Sequence, residues 1–200
     1  MFLILGPALN LAGGFFWTGD GPDATGATLI SVGLGCWLIG LIGLYQGLRP
    51  RAPRHVPALL PLTVFGVIGG VAFSVQSLHE EIFGVSHERA IELLNAYPLP
   101  ANVLYWLCGP LFPVSLMLLG AVLLKARAAP VPVVLLVLAG GLLFPLSRIT
   151  RVEILIHAAD LVLLLPFVYL GVRARDRLRP AVAPGPGRPS EIAGQPRDHA

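Results

Sequence analysis

The amino-acid sequence predicts an all-α, polytopic membrane protein: a six-transmembrane-helix bundle with a short interfacial helix and a disordered C-terminal tail. Three observations carry that expectation. Of 200 residues, 55% are hydrophobic and 12% are charged, half the charged share of about 25% found in soluble domains. The mean hydropathy of +0.76 comes from six apolar runs set between charged or turn-forming segments. The basic residues fall in alternate connections, as the positive-inside rule requires of a polytopic chain.

The first span is read at 2–17, ending on Trp17, a residue suited to the membrane interface. No Lys or Arg precedes it and no small-x-small cleavage site follows, so it reads as a retained helix rather than a signal peptide. A turn with Asp20 and Asp23 leads to the second span, 25–48. There Ala27, Ser31, Gly35, Gly43 and Gly47 recur every four residues, interrupted by Ile39. Such a stripe lets helix backbones approach closely. The third span, 56–78, repeats the spacing with Gly66, Gly70 and Ser74, and ends in Gln76, His79, Glu80 and Glu81.

Residues 82–102 carry a short amphipathic helix, HERAIELLNA, capped by Ser86. Its Ala90, Ile91 and Leu94 face one way and its charges the other, so it is expected to lie in the interface. The fourth span, 103–124, is interrupted by Gly109, Pro110 and Pro113, which predicts a kink. The fifth, 130–146, has no ionisable residue and reads as scaffold. The sixth, 152–172, completes a transmembrane domain over 1–172. The Arg-, Pro- and Gly-rich tail, 173–200, cannot bury apolar surface.

Arg49, Arg51, Arg54, Lys125, Arg127 and the arginines from Arg173 onward lie in the second loop, the fourth loop and the tail. Both termini are therefore expected in the cytoplasm, in a plasma or inner membrane. The intervening loops hold Asp20, Asp23, Glu80, Glu81, Glu88 and Glu92 against only Arg89, Arg148 and Arg151. The net charge of +3 forms no basic face and no nucleic-acid-binding module appears, which excludes nucleic acid as a partner. The expected partners are the bilayer, anionic lipid at the basic tail, and a second copy of the chain through the glycine faces. Cys36 and Cys108 sit in separate apolar runs and read as buried thiols.

The functional signal is the stretch Ser147–Gly171, apolar enough to span yet carrying Arg148, Arg151, Glu153, His157 and Asp160. Ionisable groups in a membrane are costly and need a reason. On one helix, Glu153, His157 and Asp160 fall within about 60° of each other. The stripe ends at Leu164, near mid-membrane. The expected topology puts it on the same outer side as Gln76, His79 and Glu80. If the third and sixth spans touch, Gln76, His79, Glu80, Arg148, Arg151, Glu153, His157 and Asp160 line one outward-facing pocket for a small polar or anionic ligand, a metal or protons.

Three chemistries stay open at this point. A structural network would pair Arg148 or Arg151 with Glu153, and His157 with Asp160. A carrier would use His157 between two acids as a proton relay, although only Tyr45 and Gln46 offer polarity in the inner half. A membrane enzyme acting on a lipid-like substrate would hold a divalent metal on His79, Glu80, His157 and Asp160, with Arg148 and Arg151 on a phosphate. A non-catalytic subunit is the remaining alternative. The order Ser-Arg, His, Asp also occurs in membrane lipid phosphatases, but the gaps here differ and that family's other motifs are missing. Neither H-E-x-x-H, Gly-x-Ser-x-Gly, a P-loop nor a dinucleotide fingerprint is present.

Overall fold

A computed structural model of the chain describes residues 1–19 and 21–178, without the side chains of 175–178. Its helices are α1 (Phe2–Gly14), α2 (Ala24–Leu48), α3 (Val56–Phe83), α4 (His87–Asn95), α5 (Pro98–Lys125), α6 (Val131–Thr150) and α7 (Glu153–Leu178). Five of them (α2, α3, α5, α6 and α7) are long and apolar enough to cross a membrane. The first apolar run forms a shorter helix than the sequence suggested, 13 residues against an expected end at Trp17. Trp17 and Thr18 instead pair antiparallel with Pro22 and Gly21.

Most helix starts fall where the sequence puts them. Asp23 caps α2 by accepting from the Gly26 amide at 2.7 Å, and Ser86 caps α4 by accepting from the Arg89 amide at 3.3 Å. The ends run on. α3 continues past Leu78 to Phe83, so Gln76, His79, Glu80 and Glu81 are helical. Polar residues end an apolar run, but they do not end a backbone ladder; Gly84 does, with φ 62° and the paired bonds Val85 N to Glu80 O and Gly84 N to Glu81 O. α6 likewise runs to Thr150, so Arg148 lies on α6 and not at the mouth of the last span; Arg151, at φ 55°, makes the turn into α7. α7 passes the expected end at Val172 and reaches Leu178, which takes the first residues of the expected tail into a helix. The rest of that tail, 179–200, lies outside the described residues, as does Asp20.

Where the sequence predicts a kink in α5, the helix carries a π-helical stretch, Asn102–Cys108, directly before Gly109 and Pro110. A proline offers no amide to the carbonyl one turn back, and widening the ladder is one way to absorb that loss.

The helices close a ring in chain order. α1 packs on α2 and α7, α2 on α3, α3 on α5, α5 on α6, and α6 on α7. Trp37 fills the middle, edge-on to Phe112 at 5.1 Å and Phe167 at 5.0 Å. The close approaches use glycines, though on α2 not the expected ones. Gly35, Gly43 and Gly47 face open space, whereas Gly26, Gly33 and Gly40, seven residues apart, lie against the α1 backbone. On α3 the expected stripe does pack: Gly66 abuts Phe112 and Gly70 abuts Leu34.

Candidate functional site

The C-terminal ends of α1, α3 and α6 meet the N-terminal ends of α2 and α7 at one end of the ring, and α4 lies across it. Two polar groupings form here. In the first, Arg148 Nη2 donates to both carboxylate oxygens of Asp160, at 3.0 and 3.1 Å. Asp160 is buried, its side chain only 1% exposed. The guanidinium carbon lies 5.3 Å from the Trp17 ring and 4.8 Å from the Phe144 ring, so its faces meet aromatic quadrupoles. Asn10 Oδ1 accepts from the same Nη2 at 3.5 Å, and Gly14 leaves the room that Asp160 occupies. A buried arginine–carboxylate pair of this kind needs both members, because either alone leaves an uncompensated charge.

The second grouping is a relay across three segments. Gln76 Nε2 donates to Glu80 Oε1 at 2.7 Å on α3. His87 on α4 places Nδ1 at 3.1 and 3.3 Å from the Glu80 oxygens. Arg151, in the turn before α7, donates from Nη2 to His87 Nε2 at 2.7 Å. Arginine has only donors, so Nε2 accepts and the ring proton sits on Nδ1, facing Glu80. One neutral tautomer of His87 thus serves an acid and a base, and fastens α4 to both sides of the ring. Beside it, Glu81 accepts from the Ala24 amide and ties α3 to the start of α2.

Between the groupings opens a cavity of about 490 Å³. Its lining is mostly apolar, with Leu34 from α2, Phe73 from α3, Tyr105 from α5 and Phe144 from α6. Ile91 and Leu94 of α4 lie over it, using the apolar face expected to rest in an interface. Its polar lining includes Gln76, His87, Arg148 and Arg151, with Ser74, Asn95 and Asn102.

Several expectations change here. The two distant stretches do come to one end of the ring, with α3 packed on α2 and α5 and α7 packed on α1 and α6. α7 supplies Asp160 as the partner of Arg148 and no lining residue; the cavity is lined from α2, α3, α4, α5 and α6, with Trp17 and Arg151 from the connections. The reason is the longer α6, which carries Arg148 back onto the antiparallel partner of α7. The expected pairing of Arg148 or Arg151 with Glu153 is replaced by Arg148 with Asp160, and Glu153 is exposed. His157 faces away from the cavity: Nδ1 bonds the Glu153 carbonyl at 2.8 Å and the ring meets Phe15 at 4.4 Å. His79 is exposed beside Phe83. His79, Glu80, His157 and Asp160 are therefore not brought together, and among the described residues no group of three or more His, Cys, Asp or Glu could hold a metal ion.

Asn10 and His87 belong to the site; Asn10 is not among its expected residues, and the sequence sets His87 just beyond the outer polar cluster rather than in it. Asn10 is the one amide side chain in the first apolar run, a signal legible in hindsight; its Nδ2 is buried without a partner among the described residues. His87 lies outside the spans, where its role depends on how α4 folds back. The fold and site together define a helical protein rich in apolar, span-length helices, with a part-charged cavity at one end. No family model, curated protein or solved structure matches the chain.

Proposed function

We propose that the chain is an integral membrane protein of six spans with both termini in the cytoplasm, and that its α4-end cavity opens outward and binds an anionic amphiphile. The head group would sit against Arg151 and the cavity side of Arg148, and the apolar part along Leu34, Phe73 and Phe144. The observation that carries this reading is a largely apolar cavity of about 490 Å³ with two arginines in one wall. Ligand sites typically enclose about 300–1,000 Å³, mostly apolar with a few placed polar groups. The place of α1 in the ring, between α2 and α7, supports counting it as the sixth span. The basic loops support the orientation. The open face at Gly35, Gly43 and Gly47 is where a second copy of the chain would pack.

A structural reading competes, on one observation: Arg148 already has a charge partner in Asp160, both of whose oxygens accept from Nη2. Titrating the purified full chain in nonionic detergent with dodecyl phosphate separates the two. Trp17 and Trp106 line the cavity and report occupancy by fluorescence. A ligand site predicts a saturable change that Arg151→Gln weakens about tenfold or more, the scale of a lost charged hydrogen bond. An identical response to an uncharged dodecyl chain would leave only the structural role.

A further inference from the structure

The opposite end of the ring holds a second concave site. The α2–α3 connection is wound rather than extended. Ala52 and Val56 are buried, the Ala52 amide bonds the Leu48 carbonyl at 3.0 Å, and the His55 and Val56 amides both bond the Ala52 carbonyl at 3.2 Å. Facing it, the last turn of α5 brings Lys125, whose Nζ donates to His55 Nε2 at 3.3 Å. Between them is a cleft of about 360 Å³ lined by Arg51, Arg54, His55 and Lys125, with Val122 and Ala126 on its apolar side.

Its charge is one-sided. Among the described residues no carboxylate forms an ion pair with Arg51, Arg54 or Lys125, and the lysine faces an imidazole instead of an acid. Cations held around one hollow repel each other, and a polyanion relieves that repulsion. Arginine forks match tetrahedral phosphate oxygens, and lysine adds a compact point charge. The cleft lies where α2 and α5 leave their apolar runs, at head-group depth if the bundle spans a bilayer. Basic pockets between helices at that depth bind lipid phosphates.

We propose that this cleft binds the phosphate of an anionic lipid and thereby ties the α2–α3 connection to α5. The inference is separate from the α4-end cavity. It rests on the helices crossing a bilayer, and holds whichever end faces the cytoplasm.

The test uses the full chain in phosphatidylcholine nanodiscs doped with phosphatidic acid, with retained lipid counted by native mass spectrometry. Wild type is expected to retain phosphatidic acid in preference to phosphatidylcholine. The triple variant Arg51→Gln/Arg54→Gln/Lys125→Gln should lose that preference by about fivefold per base removed. These three side chains are exposed, so the variant should keep the wild-type elution profile. Arg177→Gln/Arg179→Gln, in the C-terminal basic stretch that is itself expected to meet anionic lipid, should weaken the preference less than the triple variant does. A second arm adds inorganic pyrophosphate to the detergent-solubilised chain. Thermal protection that the triple variant loses, together with no preference for phosphatidic acid in the nanodisc arm, would assign the cleft to free phosphates rather than lipid, with the same recognition chemistry. An unchanged lipid preference in the triple variant, a preference lost only with Arg177 and Arg179, or wild type indifferent to both probes would overturn the proposal. None of these results bears on dodecyl phosphate binding at Arg151, so the two sites stand or fall separately.

Discussion

The two ends of the bundle treat the same kinds of side chain in opposite ways. At the α4 end, Arg148 and Asp160 are covered, with side-chain exposures of 14% and 1%, and each has the other as its charge partner. At the far end, Arg51, Arg54 and Lys125 are exposed and have no acid in an ion pair among the described residues. The difference follows from solvation. A charge away from water persists only with a counter-charge and further hydrogen bonds. A charge in water or among head groups needs neither, and pairing it adds only about 0–1 kcal/mol. Charge type alone therefore says little; burial decides whether an arginine is part of a built network or a free contact for something else.

Three sets of substitutions would sharpen or break that contrast. The largest effect is expected from Arg148→Ala, which strands Asp160 and should destabilise the fold by about 3–5 kcal/mol. Adding Asp160→Asn to it should recover most of the loss, since the orphaned charge is then gone. Thermal melting of the detergent-solubilised variants measures both, and an Arg148→Ala curve superimposed on wild type would put the pair in water and erase the contrast. His87→Ala should come next. It removes hydrogen bonds to charged groups worth about 1.5–3 kcal/mol each, but the damage should be local. Deuterium uptake is expected to rise over His87–Asn95, no residue of which is buried, and to stay unchanged around Trp37. Uptake rising equally in both places would mean that α4 is part of the core and not fastened to it. The smallest effect belongs to Arg51→Gln with Arg54→Gln, expected to shift stability by no more than about 0.5 kcal/mol per substitution in a lipid-free melt. A larger fall would reveal pairing at the far end that the contrast denies.

Much of the fold could be read from the chain. Each apolar run became a helix, Asp23 and Ser86 cap where their residue types suggest, and HERAIELLNA lays its apolar face over a cavity. The site was legible in part. Gln76, Glu80, Arg148, Arg151 and Asp160 do fall in the two groupings at one end. His79, Glu153 and His157 do not, because a helical stripe says which residues share a face but not what that face meets. The glycines of α2 make the same point. The four-residue stripe was conspicuous, yet its Gly35, Gly43 and Gly47 face open space; the seven-residue one packs on α1. Both spacings keep residues on one side of a helix, so periodicity could not choose between them.

Composition and local pattern determined that this protein is a set of apolar helices, roughly where each lies, and which loops carry base. Those properties depend on the free energy of short segments, which each segment expresses by itself. The tertiary structure decided that Arg148 belongs to α6 and reaches Asp160 on α7, that His87 joins Glu80 to Arg151, and that a cavity is left between them. Such contacts depend on helix register and on which neighbours close the ring. Register is settled only when all the helices pack at once.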